Sequence, residues 1–132
     1  MKFRLAEPAE RDIRNILGGS LQMFGPIQAR AHAGIIEQGI ALVADEPGRP
    51  GSVGREELAP GVRSLHLEVV TRRRGGAAHC LYYVTARFPD GTDGVVIVRV
   101  LHERMEPRHR VVRSLKGVAA SYDDNDFEVR DR

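Results

Sequence analysis

The sequence predicts an α+β domain in which a helical hairpin covers one face of a mostly antiparallel sheet. Three observations carry that expectation. The chain has 132 residues, the size of one ordinary domain. Apolar residues recur at three- and four-residue spacing from Ala9 to Val43, as on the buried stripe of a helix. Beyond residue 61, three segments have the alternating or apolar character of strands and are separated by glycine-rich turns.

Residues 2–6, "KFRLA", alternate apolar and basic side chains and open the domain as a short strand. The next stretch, "EPAERDIRNILGGSLQMFG", begins like a helix, with Pro8 in the first turn and Glu7 and Glu10 at the positive end of the helix dipole. Ala9, Ile13, Ile16, Leu17, Leu21 and Phe24 form its apolar stripe, and Gly18-Gly19 is expected to mark a kink or break within it. Gly25-Pro26 turns the chain into a second helix, ended by Pro47, with Ala29, Ala33, Ile36, Ile40 and Val43 facing the core and His32 at the boundary of that stripe. Residues 47–61 are rich in glycine and proline and read as loop. Strands are expected over 62–70, 78–88 and 94–101, giving the order β-α-α-β-β-β, with "PDGTDG" as the hairpin between the last two. Residues 1–112 are read as the domain, and residues 113–132 as an acidic, flexible C-terminal extension whose last dozen residues are poorly anchored.

Charge is unevenly spread. Residues 1–48 sum to −1, residues 49–120 to +6 and residues 121–132 to −3, so the basic middle suits an acidic partner. The single cysteine, Cys80, excludes an internal disulfide framework and a multi-thiolate zinc site, and fits a reducing cytosol. No apolar run approaches the roughly 18 residues of a membrane span, and the first residues lack a signal-peptide core. The expectation is a cytoplasmic protein with no membrane contact.

The common catalytic signatures are missing: there is no phosphate-binding loop, no HExxH and no nucleophile elbow. The five histidines show no metal-ligand spacing, so neither a metal nor a cofactor is expected. A metal-free nuclease needs only an acid, a base and cations around a phosphate. His102, Arg99, Arg104, Arg63 and Tyr82 or Tyr83 are the groups that would have to supply them. Cys80 and at least one of the tyrosines are expected to be core residues, and Arg72-Arg73-Arg74 a solvated hairpin tip.

Three segments carry a resemblance to a known family. They are "FRLAEPAERDIRNIL", "RPGSVGREELAPGVRSLHL" and, most specifically, "VVIVRVLHERMEP" with its His-x-Arg-Met ending. Over residues 2–110 the chain resembles the ParE toxins of the RelE/ParE superfamily, from bacterial type II toxin–antitoxin operons. The resemblance implies a RelE/ParE-like fold and a non-enzymatic toxin that poisons DNA gyrase. It implies neutralisation by a ParD-like antitoxin in a hetero-oligomer, with DNA touched only through the antitoxin or gyrase. Arg63, Arg99, His102, Arg104 and Met105 are the positions it marks for target or antitoxin binding. The alternatives are a RelE-like ribosome-dependent mRNA endoribonuclease and an inactive toxin-fold binding module. Arg63 and Arg99 are expected on neighbouring strands with guanidiniums on one face. His102 and Arg104 are expected to fix the strand's exit by hydrogen bonding, and Met105 to pack beneath it. The acidic tail is considered as a cover for the basic face.

Overall fold

The computed structural model describes residues 2–121 and 128–130, with side chains described through residue 118. Strand β1 (Lys2–Leu5) leads into helix α1 (Glu7–Phe24) and helix α2 (Pro26–Asp45), which form the expected hairpin. Strands β2 (Ser52–Gly54), β3 (Arg63–His66), β4 (His79–Arg87) and β5 (Asp93–His102) follow, with a one-turn helix α3 (Glu68–Thr71) after β3. Helix α4 (Pro107–Ser121) and a short strand β6 (Glu128–Arg130) complete the described chain. The sheet runs β1-β5-β4-β3-β2, with β6 beside the second half of β4. Among the described pairings, only β1–β5 is parallel. This is the α+β class that the sequence predicts.

The helical hairpin closes at Gly25, whose φ of +89° is one that few side chains tolerate. Its N–H donates to the Leu21 carbonyl, and its own carbonyl accepts the first bond of α2 from Ala29. Helix α1 is continuous through Gly18-Gly19 rather than broken. An added Cβ at either glycine would meet nothing within 4 Å, so both lie on the open side and no packing force bends the helix there.

The sheet separates two cores. On one face Ile36, Ile40 and Val43 of α2 and Ala9 of α1 pack on Leu65, Leu81, Tyr83, Val95 and Ile97. On the other, Val111 and Val118 of α4, with Leu115, pack on Leu58, Val62, Tyr82, Val84, Val96 and Val98. Tyr82 and Tyr83 are both buried, one in each core, as consecutive residues of a strand must be when both faces are covered. Opposite them the register slips: Tyr82 faces Arg99 but Tyr83 faces Ile97, leaving Val98 as the extra residue of a bulge.

The strand expected over residues 62–70 is shorter in the structure. It ends at His66 because Glu68 to Thr71 turn into α3, which lets Leu67 point into the hairpin-side core beside Gly39. Pro107 opens helix α4, an element that the order read from the sequence does not include. Of the last dozen residues, Ser121 ends α4 and Glu128–Arg130 pair with β4, while residues 122–127 and 131–132 lie outside the described residues.

Candidate functional site

Four of the five histidines gather at one end of the sheet, although they are scattered through the sequence. His66 ends β3, His79 begins β4 and His102 ends β5. The antiparallel register sets His79 directly across from His102, and their rings meet edge to face at 5.3 Å. His32 reaches in from α2, 5.4 Å from the His79 ring.

The hydrogen bonds fix much of this end. Glu68 donates its N–H to His66 Nδ1, so the proton is on Nε2, which meets the Glu103 carboxylate at 2.6 Å. That bond holds the Glu103 carboxyl below its usual range. His102 Nδ1 accepts the Arg104 N–H, and the His102 carbonyl accepts from Met105 N–H, closing a tight turn. Glu103 N–H donates to the Ala78 carbonyl and ties that turn to the start of β4. His79 Nδ1 is buried without a hydrogen-bond partner among the described residues. Burial, reinforced by His32 and His102, lowers the His79 pKa to about 4. The ring is therefore neutral at neutral pH.

The five positions marked by resemblance do not form one cluster. Arg99 is bound bidentately to Asp12 of α1, Nε and Nη2 lying 2.7 and 2.8 Å from its two carboxylate oxygens. Asp12 also accepts the Val100 N–H, just past the point where Ala6 makes the last bond of β1 to Ile97. Asp12 thus caps the sheet edge beyond the end of β1. Arg63 donates instead to Ser52 Oγ on β2. The two arginines are not on neighbouring strands: β4 runs between β3 and β5, and each guanidinium has a different local partner. His102 and the Arg104 backbone do fix the strand's exit. Met105 is 39% exposed, so it does not pack beneath the chain. The Arg104 side chain is exposed as well, so the turn presents a guanidinium and a thioether outward.

Sequence reasoning missed the surface beside this turn. Leu21 and Phe24, read as the end of the buried stripe of α1, are 51% and 67% exposed, and Met23 and Ile27 are 76% and 81% exposed. Both helices run past the sheet, which leaves their joint uncovered among the described residues. Beneath this tip an open cavity of about 360 Å³ is lined by Ile16, Met23, Phe24, Gln28, His32 and His79. A second, larger trough of about 490 Å³ lies between the helices and β1, lined almost entirely by apolar groups of Phe3, Leu5, Ile13, Leu17, Ile36 and Ile40. The sequence signal for the tip was present in an apolar run, Leu21 to Ile27, broken only by Gln22 and the turn residues Gly25-Pro26.

No group of three or more histidine, cysteine or acidic side chains among the described residues could hold a metal ion. Nor does any described helix have the length and apolarity to cross a membrane. Cys80 is half-buried and burial pushes its thiol up to about 11, so it behaves as a small core residue.

The α+β fold, with a helical hairpin on one face of a mostly antiparallel sheet, is consistent with the RelE/ParE class of small toxins. The family described as ParE toxin of type II toxin–antitoxin system, parDE, matches residues 3–107. The Toxin ParE of Escherichia coli is 29% identical over 115 residues, covering 87% of this chain and 97% of that protein. The chain belongs to the ParE toxin family. Membership implies an antitoxin partner.

Proposed function

We propose that this chain is a non-enzymatic toxin that binds and inhibits DNA gyrase in the cytoplasm, and that a ParD-like antitoxin neutralises it in a hetero-oligomer. Kinship with the Escherichia coli Toxin ParE supports the toxin role. The observation that carries the non-catalytic reading is the commitment of the candidate acids, bases and cations to the fold, Arg104 and the Nε2 of His102 excepted. Arg99 is held by Asp12, Arg63 by Ser52, and His102 Nδ1 by the Arg104 amide. Tyr83 donates its hydroxyl to the Pro47 carbonyl, and burial pushes the Tyr82 phenol up while Arg55 donates to it. Phosphodiester cleavage needs such groups converging on one reacting atom, free to exchange protons. Here they point to separate partners.

The trough beside β1 suits the antitoxin. β1 is an edge strand, and the trough's apolar floor continues from its side chains onto both helices. An extended or helical segment that orders on binding fits such a channel. DNA is then met only through the antitoxin or gyrase.

The test is a supercoiling and DNA-cleavage assay with purified gyrase, run beside a ribosome-dependent mRNA cleavage assay. The expected result is lost supercoiling with trapped cleaved DNA and intact mRNA. Cut mRNA with unaffected gyrase overturns the proposal in favour of a RelE-like endoribonuclease. Silence in both, with antitoxin still bound, leaves an inactive binding module.

A further inference from the structure

We infer that the tip of the helical hairpin is the target-gripping surface of this toxin. Met23, Phe24 and Ile27 form an apolar knob that enters a carboxylate-rimmed recess on a folded partner protein. The inference rests on the proposed toxin function and adds to it the surface and the chemistry of the contact.

Exposure is the first observation. Met23, Phe24 and Ile27 are each at least two-thirds exposed, and Leu21 is half exposed, all within seven residues. Contiguous apolar surface of this kind on a small protein marks an interaction site rather than scattered surface noise. Rigidity is the second. Gly25 closes the joint with one hydrogen bond to each helix, so the knob is presented in a fixed shape and loses little freedom on binding.

Charge selects the partner. No aspartate or glutamate occurs between Asp12 and Glu37, while Arg30 lies within a turn of Ile27 on α2 and Arg14 sits further back along α1. Arg14 is within 4.0 Å of Glu10, and Arg30 is exposed. A recess rimmed by carboxylates complements this surface. A second copy of the chain does not, because a two-fold contact between tips would bring the Arg30 side chains together without a counter-charge. The cavity below the knob, floored by His32 and His79, offers room for one apolar side chain from the partner in return. Burial lowers the pKa of both histidines, which keeps that floor uncharged.

Shape separates this surface from the antitoxin's. A flexible segment settles along a trough, and the trough beside β1 is concave and apolar. A convex, rigid knob fits a recess that already exists on a folded protein.

The experiment compares the full chain with Phe24→Ser and Ile27→Ser. It measures inhibition of gyrase supercoiling, affinity for the operon's antitoxin, melting temperature and oligomeric state. Each variant is expected to weaken gyrase inhibition by about tenfold or more, the loss typical of a central apolar anchor. Antitoxin affinity and melting temperature should stay unchanged, because both residues are exposed and outside the trough. Arg30→Glu should weaken inhibition too, while adding salt should weaken the wild-type chain more than that variant. Inhibition within twofold of wild type in both serine variants overturns the inference and leaves the gyrase reading standing. So does a wild-type dimer that Ile27→Ser dissociates, or a loss of antitoxin affinity in place of gyrase inhibition. A wild-type chain that leaves gyrase untouched overturns the gyrase reading and this inference together.

Discussion

At the scale of single residues, His79 is the side chain whose surroundings most oppose its charged form. Its ring is packed between His32 and His102, its Nδ1 has no hydrogen-bond partner among the described residues, and only Glu103 favours the proton. His66 adds a smaller opposing contribution. The unfolded chain takes up that proton near pH 6.5, but the folded chain not until about 4. Between these values the unfolded state binds more protons, so stability falls as pH falls through the window. A tenfold difference in proton affinity between the two states corresponds to about 1.4 kcal/mol. The ring is only partly shielded from water, and screening reduces the loss between pH 7 and 5 to about 1 kcal/mol. Urea unfolding at the two pH values checks this, and His79→Phe should flatten the dependence. A slope unchanged by that substitution would show that His79 is not its source. Arg99 shows the opposite case, since its charge is held by Asp12 and its pKa is raised by that hydrogen bond. The pair joins α1 to the sheet edge, which gives this motif position a structural role whatever else it contacts.

Among the elements, α1 carries a correctable weakness. Gly18 and Gly19 sit mid-helix, yet an added Cβ meets no atom within 4 Å at either position. Glycine in a helix interior costs about 0.8–1 kcal/mol relative to alanine, through backbone entropy and lost shielding. Gly18→Ala and Gly19→Ala should each stabilise the chain by up to that amount. Thermal unfolding should show a rise of several degrees for the double variant. A fall would mean that the helix needs its present freedom at this point. The two helices and the central strands were legible because burial imposes a period on them: Ile36, Ile40 and Val43 repeat at helical spacing, and Val96 and Val98 alternate with Val95 and Ile97. Helix α3 was not, because Leu67 to Val70 keep strand-like apolar composition while one turn of helix points Leu67 inward. The histidine end was equally hidden. His32, His66, His79 and His102 meet only through strand register and the placement of α2, neither of which leaves a local pattern. Leu21 and Phe24 fitted the periodic stripe of α1, but periodicity cannot tell where a helix outruns the sheet it covers.

At the scale of the whole molecule, one sheet carries two cores of different provenance. The hairpin-side core lies within the segment matched by the ParE toxin family, residues 3–107. The opposite core is closed by α4, which begins at Pro107, where that match ends. Val111 and Val118 are almost wholly buried and Leu115 partly so, against Leu58, Val62, Tyr82, Val84, Val96 and Val98. Burying a large aliphatic side chain contributes about 1.5–3 kcal/mol. Removing three of them, and exposing the apolar sheet face they cover, is comparable to the margin of about 5–15 kcal/mol that holds a typical domain. A chain ending at Glu106 should therefore aggregate or lose its cooperative melt. A chain ending at Ser121 keeps α4 and, of the described elements, loses β6, whose three residues pair with Thr85, Ala86 and Arg87. The backbone groups it uncovers on β4 can turn to water, so the melting temperature should drop by only a few degrees. Circular dichroism melts and size-exclusion chromatography of the two truncations distinguish these outcomes. If the Glu106 form melts cooperatively as a monomer, the hairpin-side core alone supports the sheet and α4 is an accessory cover. If it collapses, the toxin fold of this chain depends on residues beyond the family's matched segment.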